Sequence, residues 1–221
     1  MRHPRPIEAP ARRALPPHRA FSQRFLDLRA RIFVRLADYY DRDHLIRAGD
    51  WMLALAPDAP EHLVVAALLH DLERSVPGGP VLDKASVPWD DETYNRAHCD
   101  RSADLVADWL RAQGEQAALI KAVRQPIREH EFGGSPEGDL MQAADSISFL
   151  ETNALLVAGW VKGGECTPDK AREKLRWMDE RIRLDWAREV AGPYFARSIA
   201  EVEAELSGDG EERDSAASHS P

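Results

Sequence analysis

The chain has 221 residues, a formal net charge of −9 and a hydrophobic fraction of 43%. An acidic balance excludes a surface that coats nucleic acid, which needs clustered Lys and Arg, while leaving room for a small anionic substrate bridged by metal. Cys99 and Cys166 stand alone and far apart, which excludes a disulfide framework and a zinc ribbon.

No stretch approaches the roughly 18 consecutive apolar residues of a membrane span, and the N-terminus lacks an apolar secretory core. The expected location is the cytoplasm, with no membrane partner. Residues 1–18 combine five prolines with four arginines, a composition that cannot bury apolar surface, and residues 207–221 are Ser, Gly and acidic residues. Both are expected to be disordered tails, one basic and Pro-rich, the other acidic. Residues 19–206 are expected to form one domain.

Between the tails the pattern is helical throughout. Phe21, Phe25, Leu28, Ile32 and Leu36 recur at steps of three and four, as a buried helix stripe requires. A second helix is predicted from Arg42 to Ala56, stopped by Pro57. A third should start after Asp58, Ala59 and Pro60, with Asp58 as cap, and run to Arg74. Pro77, Gly78, Gly79 and Pro80 then force a loop. The stretch from Trp89 to Ala112 reads as one long helix or two short ones, and Gln116 to Glu129 as another. After the break at Phe132, Gly133 and Gly134, an apolar helix is predicted over Asp139–Gly159. Thr167 and Pro168 open the last helical region, with an interruption expected near Gly192 and Pro193. No segment shows strand alternation or an internal repeat, so the predicted fold class is all-α.

Ligand-type side chains fall on the apolar faces of four of these helices. His44 lies above Ala48, Trp51 and Leu55 at steps of four, seven and eleven. His70 follows Leu63, Ala66 and Ala67 on a buried stripe, with Asp71 about 100° around the helix. His98 precedes Ser102, Leu105 and Val106, Asp145 precedes Phe149, and His130 sits where a helix meets a Gly-rich break. A lone histidine on an apolar face is most often a hydrogen-bonded core residue. Four such helices together point instead to a divalent metal, which pairs with buried imidazole and buried carboxylate alike. His3, His18, His62 and His219 lie in tails or at a helix start and are expected to be solvated.

His44, then His70 and Asp71 followed by Leu72, Glu73 and Arg74, then Asp145, with the first two histidines 26 positions apart, resemble the HD superfamily of metal-dependent phosphohydrolases. The resemblance covers roughly residues 35–155. It implies a single HD-type helical bundle. His98 and His130 fall where binuclear members carry two further histidines. The latter region also resembles the HD-GYP phosphodiesterases, but Glu129 replaces their first histidine and no Gly-Tyr-Pro follows.

The implied metal ligands are His44, His70, Asp71, His98, His130 and Asp145. His44, His70 and Asp145 would hold one ion, His98 and His130 a second, and Asp71 would bridge the two. Asp71 and His130 are accordingly the expected catalytic residues. Two divalent ions are implied, with Fe, Mn, Mg, Ni, Co and Zn all compatible with imidazole and carboxylate donors. Water between them would ionise near neutrality and attack phosphorus in line. The implied partner is a small phosphorylated substrate, a nucleotide or another metabolite. Arg74 is the first candidate to grip its phosphate and Lys84, in the following loop, the second. Inositol oxygenase shows the same six-ligand set around two irons that activate dioxygen, an alternative the ligands leave open. Glu151, Thr152 and Asn153 can add polar groups to the pocket, and substrate discrimination is expected in the loops 76–88 and 131–138. The segment from Thr167 to Leu206, with Trp177, Ile182, Trp186, Val190 and Phe195, reads as packing against the bundle or against a second copy in a homodimer.

Overall fold

The computed structural model describes residues 7–217, with side chains described through residue 207. The described residues hold nine α-helices and no strand. They are α1 (Gln23–Arg35), α2 (Arg42–Leu55), α3 (Glu61–Leu69), α4 (Glu92–Ala112), α5 (Ala117–Glu129), α6 (Pro136–Thr152), α7 (Ala154–Lys162), α8 (Pro168–Glu180) and α9 (Asp185–Ala217). A short 3-10 turn, Leu72–Ser75, follows α3. Among the described residues no helix is long and apolar enough to cross a membrane.

Side-chain caps set four of the starts. Ser22, Asp91, Ser135 and Thr167 each accept a hydrogen bond from a backbone N–H of the first turn, the donors left free at a helix N-terminus. Asp58 does not cap α3, whose N-cap is Pro60 with no side-chain bond. The core is one apolar cluster in which α2 packs on α3 and α6, α5 on α3 and α4, and α9 across α6, α7 and α8. Gly49 lets α2 and α3 approach closely, since a Cβ there would lie 2.7 Å from Leu68 Cδ2. That approach brings the helix of His44 beside the helix of His70.

Four boundaries depart from the periodicity. The third helix ends at Leu69 rather than Arg74. His70 is its C-cap, and Asp71, at φ −101 and ψ 16, leaves helical geometry. The helix predicted over Asp139–Gly159 is broken at Asn153, whose amide donates to Asp41 Oδ2 at 2.9 Å. The expected interruption at Gly192 and Pro193 is absent, because α9 runs through Pro193, and the break falls instead between Glu180 and Asp185. There Arg188 donates to the freed carbonyls of Glu180, at 2.9 Å, and Ile182, at 2.5 Å. Finally, α9 carries past residue 206, where an acidic tail was expected to begin.

The basic Pro-rich arm also differs from expectation. Residues 1–6 and 218–221, with His3 and His219, lie outside the described residues. Residues 7–18 dock on α2 rather than trailing in solvent. Arg13 N–H donates to both carboxylate oxygens of the buried Asp50 at 3.0 Å, and Arg47 Nη1 donates to the Pro10 carbonyl at 2.8 Å. A buried carboxylate needs donors, and the arm supplies one that composition alone conceals.

Candidate metal centre

His44, His70, Asp71, His98, His130 and Asp145 come from five different segments and converge on one buried point. All are less than 9% exposed. Their ligand atoms form overlapping groups, each within 4.8 Å: His44, His70 and Asp145; His70, Asp71 and His130; and His98, His130 and Glu131. Asp145 Oδ1 lies 3.2 Å from His44 Nε2 and 3.3 Å from His70 Nε2. Asp71 Oδ1 lies 2.8 Å from His98 Nε2, 3.7 Å from His130 Nε2 and 4.0 Å from His70 Nε2. Asp71 therefore stands between the two expected sets, and the break after α3 is what allows it. In a continued helix Asp71 would point about 100° away from His70.

The four imidazoles are held alike. His70 Nδ1 donates to the Ala67 carbonyl at 2.9 Å and His130 Nδ1 to the Ile127 carbonyl at 2.6 Å. His98 Nδ1 is 2.8 Å from Glu73 Oε1. His44 Nδ1 donates to Ser148 Oγ at 2.7 Å, since that hydroxyl gives its own proton to the Asp145 carbonyl. Each Nδ1 is thus committed to an acceptor, and each Nε2 faces the carboxylates, the arrangement that orients metal-binding histidines. Among the described residues, the Nε2 atoms of His70 and His130 are buried without a hydrogen-bond partner. Such orphaned polar atoms are costly in a protein interior, and a bound cation removes the cost.

The electrostatics agree with a cation site. Burial disfavours the charged form of His70, but Asp145 and Asp71 outweigh it and raise the imidazole to about 9. A proton there takes the place of the positive charge that the carboxylates demand. Burial also opposes ionisation of Asp71 and Asp145. Arg74 on the one and Arg181 on the other nevertheless hold both well below the usual carboxylate range. His130, where burial dominates, is lowered to about 4 and stays neutral, as a ligand must.

Three residues escaped the periodicity. Glu131 follows His130 and joins the group that contains His98. Arg181, in the turn after α8, donates to Asp145, to Glu131 and, at 2.8 Å, to Ser146 Oγ. Against the cost of burial, this guanidinium lowers Glu131 to about 2. Lys174, on α8, reaches the same space, and burial lowers it to about 7. Charged residues crowd this stretch, with Arg172, Glu173 and Arg176 around Lys174 and Asp179, Glu180 and Arg183 around Arg181, so both read as positions on a solvated helix face.

A cavity of about 230 Å³ opens onto the centre. Its floor includes His44, Asp71 and Asp145, and Trp89, Phe149, Leu156 and Trp160 give it an apolar wall. Arg74 lines it with Nε on Asp71 Oδ2 at 3.0 Å and Nη1 donating to the Tyr94 hydroxyl at 2.9 Å. Lys84 also lines it, but its ammonium is paired with Glu165 Oε2 at 2.6 Å. Of the polar trio after Asp145, Glu151 is turned away to Arg47 and Trp51, and Asn153 serves the α6–α7 break. His62, expected to be solvated, lies 3.1 Å from Glu137.

A family model described as HD domain matches residues 30–150, more than half of the chain. Neither the curated proteins nor the solved structures contain a match to it.

Proposed function

The chain belongs to the HD domain family, whose members are generally metal-dependent hydrolases, and on that premise we propose that it hydrolyses a phosphate ester of a small metabolite. The observation that carries the reading is the run of three overlapping imidazole and carboxylate groups around Asp71, with the Nε2 atoms of His70 and His130 orphaned among the described residues, beneath a cavity whose floor includes His44, Asp71 and Asp145. His44, His70 and Asp145 would hold one divalent ion and His98 and His130 a second, with Asp71 between them. When bound, such ions supply Lewis acidity and bring the ionisation of water to near neutral pH.

The protein's own groups do the rest. Arg74 presents its remaining N–H donors to the cavity while Asp71 and Tyr94 fix its plane, so a phosphoryl oxygen meets an ordered guanidinium. Arg181 neutralises Asp145 and Glu131 from behind, which keeps a cluster of carboxylates from repelling an anionic substrate. Trp89, Phe149, Leu156 and Met178 thin the water around the reacting group and strengthen each of these interactions. A cavity this small favours a metabolite over a polymer. Two irons and dioxygen suit the same six side chains, so the deciding experiment must separate the two chemistries. It is metal analysis of anaerobically purified protein, paired with hydrolysis of a nucleotide and aryl-phosphate panel. Two metals per chain with phosphate release support the hydrolase. Two irons with oxygen consumption and no hydrolysis move the reading to the oxygenase, and an absence of metal overturns both.

A further inference from the structure

Four cations line the cavity: Arg74, Lys84, Lys174 and Arg181. Three are hydrogen-bonded to a carboxylate. Arg74 holds Asp71 and Tyr94, Lys84 holds Glu165, and Arg181 holds Asp145 and Glu131. Lys174 differs, since among the described residues no hydrogen bond or close ion pair holds its ammonium: Glu131 and Asp145 attract it from a distance, and ring faces surround it. Its Nζ lies 4.2 Å from the ring centre of Trp177, 4.9 Å from that of Phe149 and 5.4 Å from that of Trp89.

Ring faces attract a cation but leave its N–H donors without acceptors, and an ammonium has three. If the position only had to be filled, an uncharged chain such as Met would fill it without the desolvation cost. The three rings also fix where the head sits, which cuts the entropy a flexible lysine would lose on gripping a ligand. Phe149 connects this cage to the centre, for its ring packs edge-on against His44 at 5.9 Å between centroids.

We propose that Lys174 is a substrate-binding residue whose ammonium receives an oxyanion of the phosphorylated ligand, from the wall of the cavity that α8 supplies. The proposal rests on the phosphohydrolase reading and deepens it by assigning the substrate a contact beyond Arg74. The oxyanion belongs either to the group bound at the metal centre or to a second anionic group farther along the ligand, and two probes distinguish these sources.

The test measures calorimetric affinity of the metal-loaded protein for inorganic phosphate and for methylenediphosphonate, together with metal content and melting temperature. Lys174→Met keeps the stem among the rings and removes the charge, and Lys174→Arg restores it. The expected result is an affinity loss of about tenfold in the Met variant, the size of one lost hydrogen bond to a charged group, with recovery in the Arg variant. Loss with both probes places the contact on the group at the centre, and loss with the diphosphonate alone places it on a second anionic group. Unchanged affinity for both, at wild-type metal content, overturns the proposal and leaves the hydrolase reading standing. A wild-type protein without metal overturns that underlying reading instead. Should the Met variant fail to fold, the same comparison with Lys174→Gln decides. In addition, phosphate must perturb the tryptophan fluorescence of the wild-type protein through Trp89 and Trp177, and silence there overturns the proposal as well.

Discussion

The segment from α2 to α6 and the segment from α8 into the following turn meet at the same cavity with different contents. The first supplies the imidazoles and carboxylates, His44, His70, Asp71, His98, His130 and Asp145, and the family match over residues 30–150 contains them all. The second supplies Lys174 and Arg181, both beyond that match, and brings no ligand-type atom to the groups at the centre. The imidazole and carboxylate donors, with Arg74 and Lys84, therefore reside in one stretch of chain, and two further cations of the cavity come from another. The two halves should fail differently when broken.

The largest expected effect lies in the donor half. His70→Ala removes a ligand shared between groups and Asp71→Ala the carboxylate that stands between the two sets, so bound metal should fall and turnover should drop to background, measured by elemental analysis and phosphate release. Full activity in either variant would sink the site assignment. Breaking the cationic half at Arg181→Met should act on stability first. It leaves Asp145 and Glu131 buried without their counterion, a loss of about 3–5 kcal/mol in the metal-free protein. Divalent metal should recover part of that loss, so the rise in melting temperature on adding metal should exceed that of the wild type. An equal rise would show that Arg181 and the ions do not serve the same carboxylates.

Smaller effects sharpen the division. Glu73→Gln weakens the acceptor behind His98 Nδ1 and should lower metal affinity roughly 10- to 100-fold while leaving the fold intact. Metal titration of the purified variant checks it, and wild-type affinity would remove Glu73 from the support of the centre. Arg74→Ala should raise the Michaelis constant for a phosphorylated substrate about tenfold, the size of a lost charge-assisted hydrogen bond, with little change in metal content. An unchanged constant would take Arg74 out of the substrate's reach.

The same division explains what the sequence made legible. Imidazole and carboxylate are rare on apolar stripes, so His44, His70, His98 and Asp145 stood out at helical spacing, the family resemblance added Asp71 and His130, and all six converge in space. The all-α class followed from the same periodicity. Arg181 and Lys174 carry charges of the kind that ordinarily cover a helix in water, and only the path of the chain after α8 turns them inward. The end of α3 was hidden for another reason. Leu72 continues the apolar pattern, so periodicity extended the helix through a turn that the metal centre needs. Pro193 misled in the opposite sense, since a helix crossing the outside of a bundle tolerates a missing hydrogen bond when packing against α6, α7 and α8 holds it in place.

Two of the histidines occupy a position whose meaning goes beyond ligation. His70 is the C-cap of α3 and His130 the C-cap of α5. Both helices thus direct their carbonyl ends, the negative poles of the peptide dipoles, at the point where the carboxylates gather. Each pole favours a nearby cation by about 0.3–1 kcal/mol, and more where water is excluded. The backbone itself draws positive charge to this spot before any side chain binds it. Variants stripped of single ligands should accordingly retain weak cation affinity, and the direction of two helices, rather than the side chains alone, marks where an ion settles.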